Sequence, residues 1–271
     1  MTGRVRIGVG GWSYEAWRET FYPKGLARVR ELAHMSRALT SIEIDSTYYG
    51  GKRPDIFRAW RDATPDDFVF SVKGSRYVTN RRVLAEAGPS MARFFDTGPT
   101  ELGAKLGPIN WQFATTKQFD PEDFAAFLAL LPKTVGNVAL RHAVEVRHDS
   151  FRDGRFVDLA RRHGVAVVVA GDGVFPLIAD VTAPFVYARI MGTREEEPLG
   201  YPAPALDAWA ARAKTWAGGG TPADLPTLGP SLEPSLGPPP ESAGRDVFLY
   251  VISGFKARNP LAAQALIGKA S

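Results

Sequence analysis

The chain has 271 residues, 45% of them hydrophobic and 23% charged, which gives it enough apolar material for a substantial core. It contains no cysteine, so disulfides, thiolate metal sites and a cysteine nucleophile are excluded. The net charge of +4 admits an anionic ligand without demanding nucleic acid, because an electrostatic footprint needs clustering as well as excess.

The opening stretch "MTGRVRIGVGGWSYEAW" has no long apolar core, and no later run approaches the ~18 apolar residues of a membrane span. The expectation is a cytoplasmic protein that does not enter a membrane. Along the chain, apolar or alternating runs predict strands at 5–10, 41–45, 68–74, 106–113, 144–148, 165–170, 185–192 and 247–252. Helical patterns are read at 24–39, 54–63, 81–95, 121–131, 151–163, 204–216 and 260–269. In "FDPEDFAAFLALLP", proline and early acids start a helix, and Phe124, Phe127, Leu128 and Leu131 follow at helical spacing. In "LARRHGVAVVVAGD", Gly164 stops a helix and a buried strand begins at once.

Eight strands alternating with helices over roughly 250 residues predict an α/β fold, a (β/α)8 TIM-type barrel forming a single domain over 1–271. An open doubly wound sheet is the rival. It lacks support, because "GVGGWS" places Ser13 where a dinucleotide fingerprint needs its third glycine. Residues 217–244 are rich in proline and glycine and read as a flexible loop before the last strand.

Strand side chains alternate, so parity separates two faces. Ile42 and Ile44 oppose Glu43 and Asp45; Phe70 and Val72 oppose Ser71 and Lys73. Ile109 and Trp111 oppose Asn110 and Gln112, and Val144 and Val146 oppose Glu145 and Arg147. Val186, Ala188 and Ile190 oppose Phe185, Tyr187 and Arg189. The face toward the helices must be apolar, so the polar sets point into the barrel. They fall late in each strand, toward the C-terminal mouth where barrel enzymes keep their sites. Glu43, Asp45, Lys73, Gln112, Glu145, Arg147, Arg189 and Asp172 are thereby expected to converge. The bland reading of any one pair is mutual neutralisation without chemistry.

The segments "IGVGGWSYEAWRETFYP", "SIEIDSTYYG", "FVFSVKGSRYVTNRR", "LGPINWQF", "VEVRHDSF" and "YARIMG" together resemble the DUF72, or YecE-like, family. The resemblance covers about residues 5–215. It implies a TIM-type barrel and brings no settled activity; a proposed likeness of some members to endonuclease-IV-like barrels would imply nucleic acid. Matched to this sequence, the family pattern highlights Trp12, Ser13, Glu43, Tyr48, Lys73, Gln112, Glu145, Arg147, His148, Asp172, Arg189 and Gly192. The sequence departs from it at Asn80, where many members carry histidine, and at "QFATTKQF", where they have a glutamine followed by leucine and prolines. It departs again at Ile252–Phe255, where "YVISGF" replaces a Phe-x-Asn pattern.

The chemistry expected is acid–base work on an anionic substrate bearing phosphate or carboxylate, of the hydrolase, lyase or isomerase kind. Glu43 or Glu145 is the expected general base, His148 its proton partner, and Lys73 a further catalytic group or a Schiff-base amine. Trp12, Ser13, Asp45, Tyr48, Arg76, Gln112, Arg147, Asp172 and Arg189 are expected to hold the substrate, with Lys73, Arg147 and Arg189 gripping the anion. No cofactor is expected. A divalent metal on Glu43, Asp45, Glu145 and Asp172 is the alternative not favoured, and four histidines are too few for a multi-zinc site. The basic loop "KGSRYVTNRR", with Arg76, Arg81 and Arg82 around Tyr77, suits a phosphorylated sugar, a nucleotide or a nucleic-acid strand. A catalytically silent binding scaffold is the third reading. The sequence carries no signal for an oligomeric state.

Overall fold

The computed structural model describes residues 2–229 and 244–271. Its strands, in chain order, are β1 (Val5–Gly10), β2 (Ser41–Ile44), β3 (Val69–Lys73), β4 (Leu106–Gln112), β5 (Thr134–Val135), β6 (Val138–Ala139) and β7 (His142–Glu145). They continue with β8 (Ala166–Val167), β9 (Val169–Gly171), β10 (Phe185–Ile190) and β11 (Asp246–Val251). The helices are α1 (Trp17–Thr20), α2 (Glu31–Ala38), α3 (Pro54–Asp62), α4 (Arg76–Thr79), α5 (Gly88–Asp96), α6 (Pro121–Leu130), α7 (Gly154–His163), α8 (Ala203–Ala217) and α9 (Asn259–Ala270).

The main sheet runs β8-β7-β4-β3-β2-β1-β11-β10-β9, all parallel. Its two ends, β8 and β9, are one extended stretch interrupted at Val168, whose N–H donates to the Val144 carbonyl at 2.9 Å. The sheet therefore closes on itself around eight strand positions, and the fold is the (β/α)8 barrel that the alternation predicted. Closure leaves no unpaired edge to recruit another chain.

Parity is obeyed throughout. Ile42, Ile44, Phe70, Val72, Ile109, Trp111, Val144, Val186, Ala188, Ile190, Val247 and Leu249 pack outward beneath the helices in the main core. Each such aliphatic or aromatic side chain contributes roughly 1.5–3 kcal/mol relative to exposure. The inner face forms a second, smaller core of Val69, Ala143, Ala166, Val168, Phe185, Tyr187, Phe248 and Tyr250. At its base the Arg141 guanidinium lies 4.9 Å from the centre of the Phe248 ring. One layer up, the Tyr250 hydroxyl is shared between Ser41 Oγ at 2.7 Å and Ser71 Oγ at 2.6 Å.

Element boundaries differ from the sequence reading where the chain itself breaks. The helix expected over 24–39 is confined to α2, because Gly25 takes a left-handed conformation (φ 79°) and Ala27 is extended. The helix expected over 81–95 begins only at Gly88, with Pro89 in its first turn. The strand expected at 144–148 runs instead from His142 to Glu145, because β4 ends at Gln112 opposite Glu145 and offers no further ladder. The short α1, α4 and the β5–β6 hairpin had no sequence signal of sufficient length. Asp120 caps α6 through its Oδ1, which accepts from the N–H groups of Glu122 and Asp123, and Gly164 (φ 64°) ends α7 as expected.

The proline- and glycine-rich segment expected to be flexible over 217–244 lies outside the described residues from 230 to 243. Its first part is pinned. Leu225 is buried, the Pro226 carbonyl accepts from Ala179 N–H at 3.0 Å, and Leu228 N–H donates to Asp180 Oδ2 at 2.8 Å.

Candidate functional site

At the C-terminal ends of the strands a cavity of about 640 Å³ opens along the barrel axis. Its lining includes Trp12, Ser13, Glu43, Asp45, Tyr48, Lys73, Gln112, Arg147 and Arg189, so nine of the residues expected at the mouth are brought together. Gly11 makes the first wall possible: it sits at φ 71°, and a side chain there would point at Asp45 Oδ1, 3.5 Å away.

Beneath the cavity floor the charges pair with one another. The fully buried Arg189 donates through Nη1 to Glu145 Oε2 at 2.5 Å and through Nη2 to Glu43 Oε1 at 2.9 Å. The Tyr187 hydroxyl donates to Glu43 Oε2 at 2.5 Å, and Asn110 Nδ2 donates to Glu145 Oε2 at 3.1 Å. Arg147 closes the arrangement from above. Its Nε and Nη2 donate to Glu145 Oε1 at 2.9 and 2.7 Å, its Nη2 also reaches Gln112 Oε1 at 2.8 Å, and its guanidinium stacks 4.2 Å from the centre of the Phe175 ring. Burial alone would raise the Glu145 carboxyl; the charges of Arg189 and Arg147 and their hydrogen bonds outweigh it and hold the group at about 2. Burial and the neighbouring Glu43 carboxylate push the Tyr187 phenol well above its ordinary value.

The expected anion grip thus separates into two kinds of cation. Arg147 and Arg189 face the cavity, but carboxylates already neutralise their guanidinium groups. The ammonium of Lys73, at the end of β3, makes no hydrogen bond or ion pair among the described residues and sits 4.5 Å over the Tyr48 ring. Burial lowers the Lys73 amine, and Arg189 lowers it further against the pull of Glu43 and Glu145. Asp45, just after β2, moves the other way: burial and the Glu43 charge raise its carboxyl.

Four expected site residues do not line this cavity: Glu145 lies beneath its floor, and His148, Asp172 and Arg76 lie outside it. His148, expected as proton partner, caps the turn at Asp149–Phe151, with its Nδ1 accepting from Ser150 N–H at 3.1 Å and bonded to Ser150 Oγ at 2.9 Å. Asp172 takes a left-handed backbone conformation (φ 56°) that turns it aside, and its Oδ2 accepts from Trp209 Nε1 at 2.7 Å. Gly192 must be glycine to fit here, since a Cβ would come within 2.7 Å of the Asp172 Cβ. Arg76 lies over the Tyr49 ring, on the far side of the turn that walls the cavity. Asp172 is thereby removed from the metal set considered above, and among the described residues no group of three or more His, Asp or Glu side chains is placed to hold a metal ion.

The residues missed are instructive. Asn110 and Tyr187 had the right parity but carry no charge to draw notice. Phe175 lies on a loop and Lys256 in a turn of 3-10 helix, neither of which strand periodicity reaches, and both line the cavity. His142 packs outward, as its parity required. It accepts from Trp111 Nε1 at 3.1 Å and bonds the Pro132 carbonyl at 2.8 Å, and burial lowers it to about 4.

A closed parallel barrel with an ionisable cavity at the C-terminal ends of its strands defines a TIM-type barrel protein. Within that class, a family described as "Protein of unknown function DUF72" matches residues 6–226, and the chain belongs to it. It is 26% identical over 147 residues to UPF0759 protein YecE of Escherichia coli K12, a match covering 54% of this chain and 50% of that one. The chain thus spans about half the length of the curated relatives it matches. Among solved structures, a DUF72 family protein from Thermotoga maritima superposes with a TM-score of 0.68 at 21% identity, covering 98% of this chain and 97% of that one. Another from Enterococcus faecalis gives 0.63 at 15% identity, covering 99% and 98%. These likenesses show the barrel. No helix among the described residues is long and apolar enough to cross a membrane.

Proposed function

We propose that the protein is an enzyme acting on a small anionic substrate by acid–base chemistry at the barrel mouth. One observation carries this reading: Lys73 is 8% exposed, opens onto the cavity, and its ammonium makes no ion pair among the described residues, Glu43 and Glu145 acting on it only from beyond contact. An unpaired ammonium held out of water is costly, and a purely structural barrel would place an apolar residue there.

Asp45 supplies the complementary group. A carboxyl pushed up and an amine pushed down in the same cavity form an acid–base pair set by environment, as proton transfer requires. Glu43 and Glu145, expected as bases, are instead engaged by Arg189 and Arg147 and hold the floor. An anionic substrate would find Lys73 and, at the rim, Lys256, whose ammonium lies 5.3 Å from the centre of the Tyr14 ring. Trp12, Tyr14, Tyr48 and Tyr49 offer flat apolar faces for the carbon frame of that substrate.

The test is turnover across a panel of sugar phosphates, sugar acids and nucleotides. Once a substrate is found, Lys73→Met and Asp45→Asn are each expected to reduce kcat by about 10²–10⁴-fold, with the unfolding transition retained. Wild-type turnover in both variants would sink the assignment.

A further inference from the structure

Behind the turn that walls the mouth lies a second cavity, of about 730 Å³. Thr47 and Ser75 line it; Thr47 Oγ1 donates to the Lys73 carbonyl at 2.7 Å, and Ser75 follows Lys73 by two residues. The two cavities are therefore neighbours across residues 46–49 and 73–76, with Tyr48 and Tyr49 facing the mouth and Thr47 facing the other side.

Three arginines, Arg76, Arg81 and Arg93, reach this second cavity, and no acidic residue lines it. None of the three makes an ion pair among the described residues. Elsewhere on the surface Arg53, Arg58, Arg61, Arg152, Arg155 and Arg212 pair with carboxylates. Arg81 is fixed by donating from Nη2 to Ser90 Oγ at 3.0 Å, and its Nε is buried without a hydrogen-bond partner. Arg76 is held against the Tyr49 and Tyr77 rings, 5.8 and 5.4 Å from their centres. No carboxylate shares the cavity with these three cations, so none competes with an anion for them.

We propose that this cavity binds the phosphate group of a small phosphate monoester, at a site separated from the mouth by residues 46–49 and 73–76. Three guanidinium forks match the three terminal oxygens of a phosphate dianion, whereas a carboxylate occupies one fork. Their convergence on one cavity suits one phosphate; the evenly spaced phosphates of a nucleic-acid strand need cations spread along a path. Barrel enzymes commonly seat phosphate after their seventh and eighth strands, so a seat after the third sets this site apart.

Calorimetric titration of the full chain with inorganic phosphate at low ionic strength tests the site without needing turnover. Arg76→Gln and Arg93→Gln, both on exposed side chains or half-exposed ones, should each weaken phosphate binding about tenfold, and the double variant should abolish it. Absence of saturable binding, or unchanged affinity in both arginine variants, would overturn the proposal. Weakening in Lys73→Met alone would place the anion in the mouth, overturning this site while leaving the mouth reading intact. A short single-stranded DNA that binds where phosphate and a sugar monophosphate do not would equally refute a monoester site. Failure of the mouth reading would show separately, as normal turnover by Lys73→Met.

Discussion

Two groups of charges share the same end of the barrel and have opposite fates. Glu43, Glu145, Arg189 and Arg147 are buried, joined by hydrogen bonds and electrically complete. Lys73 and Asp45 stand directly above them, with their ionisation disfavoured and no partner closing either off. Burying charge is tolerable when it is paired and costly when it is not, so the first group can be explained as architecture and the buried Lys73 cannot. The paired group also shapes the unpaired one, since Arg189 depresses the Lys73 amine and Glu43 raises the Asp45 carboxyl.

The sharpest way to break this contrast is to unpair the floor. Arg189→Met leaves Glu43 buried without an ion-pair partner, while Glu145 keeps Arg147, and is expected to cost about 3–5 kcal/mol in urea unfolding. A loss near zero would mean that the cluster is not the closed unit its geometry describes. Glu145→Gln should likewise be felt in stability first, and any loss of turnover read from it must be corrected for that.

Acid provides the next test. Glu145 has a depressed carboxyl, so its contribution is present above the ordinary value of 4.5 and disappears as pH falls toward about 2. The loss over that window is about 3 kcal/mol. His142 acts in an earlier window. Its buried neutral ring must protonate on unfolding, so stability declines as pH falls from 6.5 toward about 4. Stability measured against pH should therefore fall in two stages, and His142→Gln should flatten the first only. An unchanged slope between pH 6.5 and 4 in that variant would remove His142 from the account.

Smaller effects discriminate further. Tyr187→Phe removes a hydrogen bond to a buried carboxylate and should cost about 2 kcal/mol by thermal or urea unfolding. Lys73→Met should cost nothing, or stabilise the protein slightly, while removing turnover. A substantial destabilisation there would move Lys73 from the uncommitted group to the architectural one.

Much of this was legible in advance. Period-two alternation placed Glu43, Lys73, Gln112 and Arg189 on the inner face, and the structure brings them together for the reason that alternation states. Alternation fails where the strand does. His148 and Asp172 follow strand ends, where a turn of 3-10 helix and a left-handed residue redirect the side chains. Nor could parity tell Lys73 from Arg189. Both point inward, and only contacts spanning 44 and 146 residues of chain show that Arg189 is neutralised and Lys73 is not. The arginine loop was visible as composition. Its meaning depends on the missing carboxylates around it, and a linear reading does not register what is absent from a neighbourhood.

The layered rings beneath the ionic floor have a consequence for traffic. Tyr187 and Tyr250 lie 5.2 Å apart, and Phe185 and Phe248 lie 6.1 Å apart one layer below. Together with Arg141 they stopper the barrel axis, so the mouth is blind-ended. Whatever arrives must leave by the doorway it used, and a departing molecule bars the next arrival. For a catalyst built this way, inhibition by accumulated product would be competitive from the outset, without any device added to impose it.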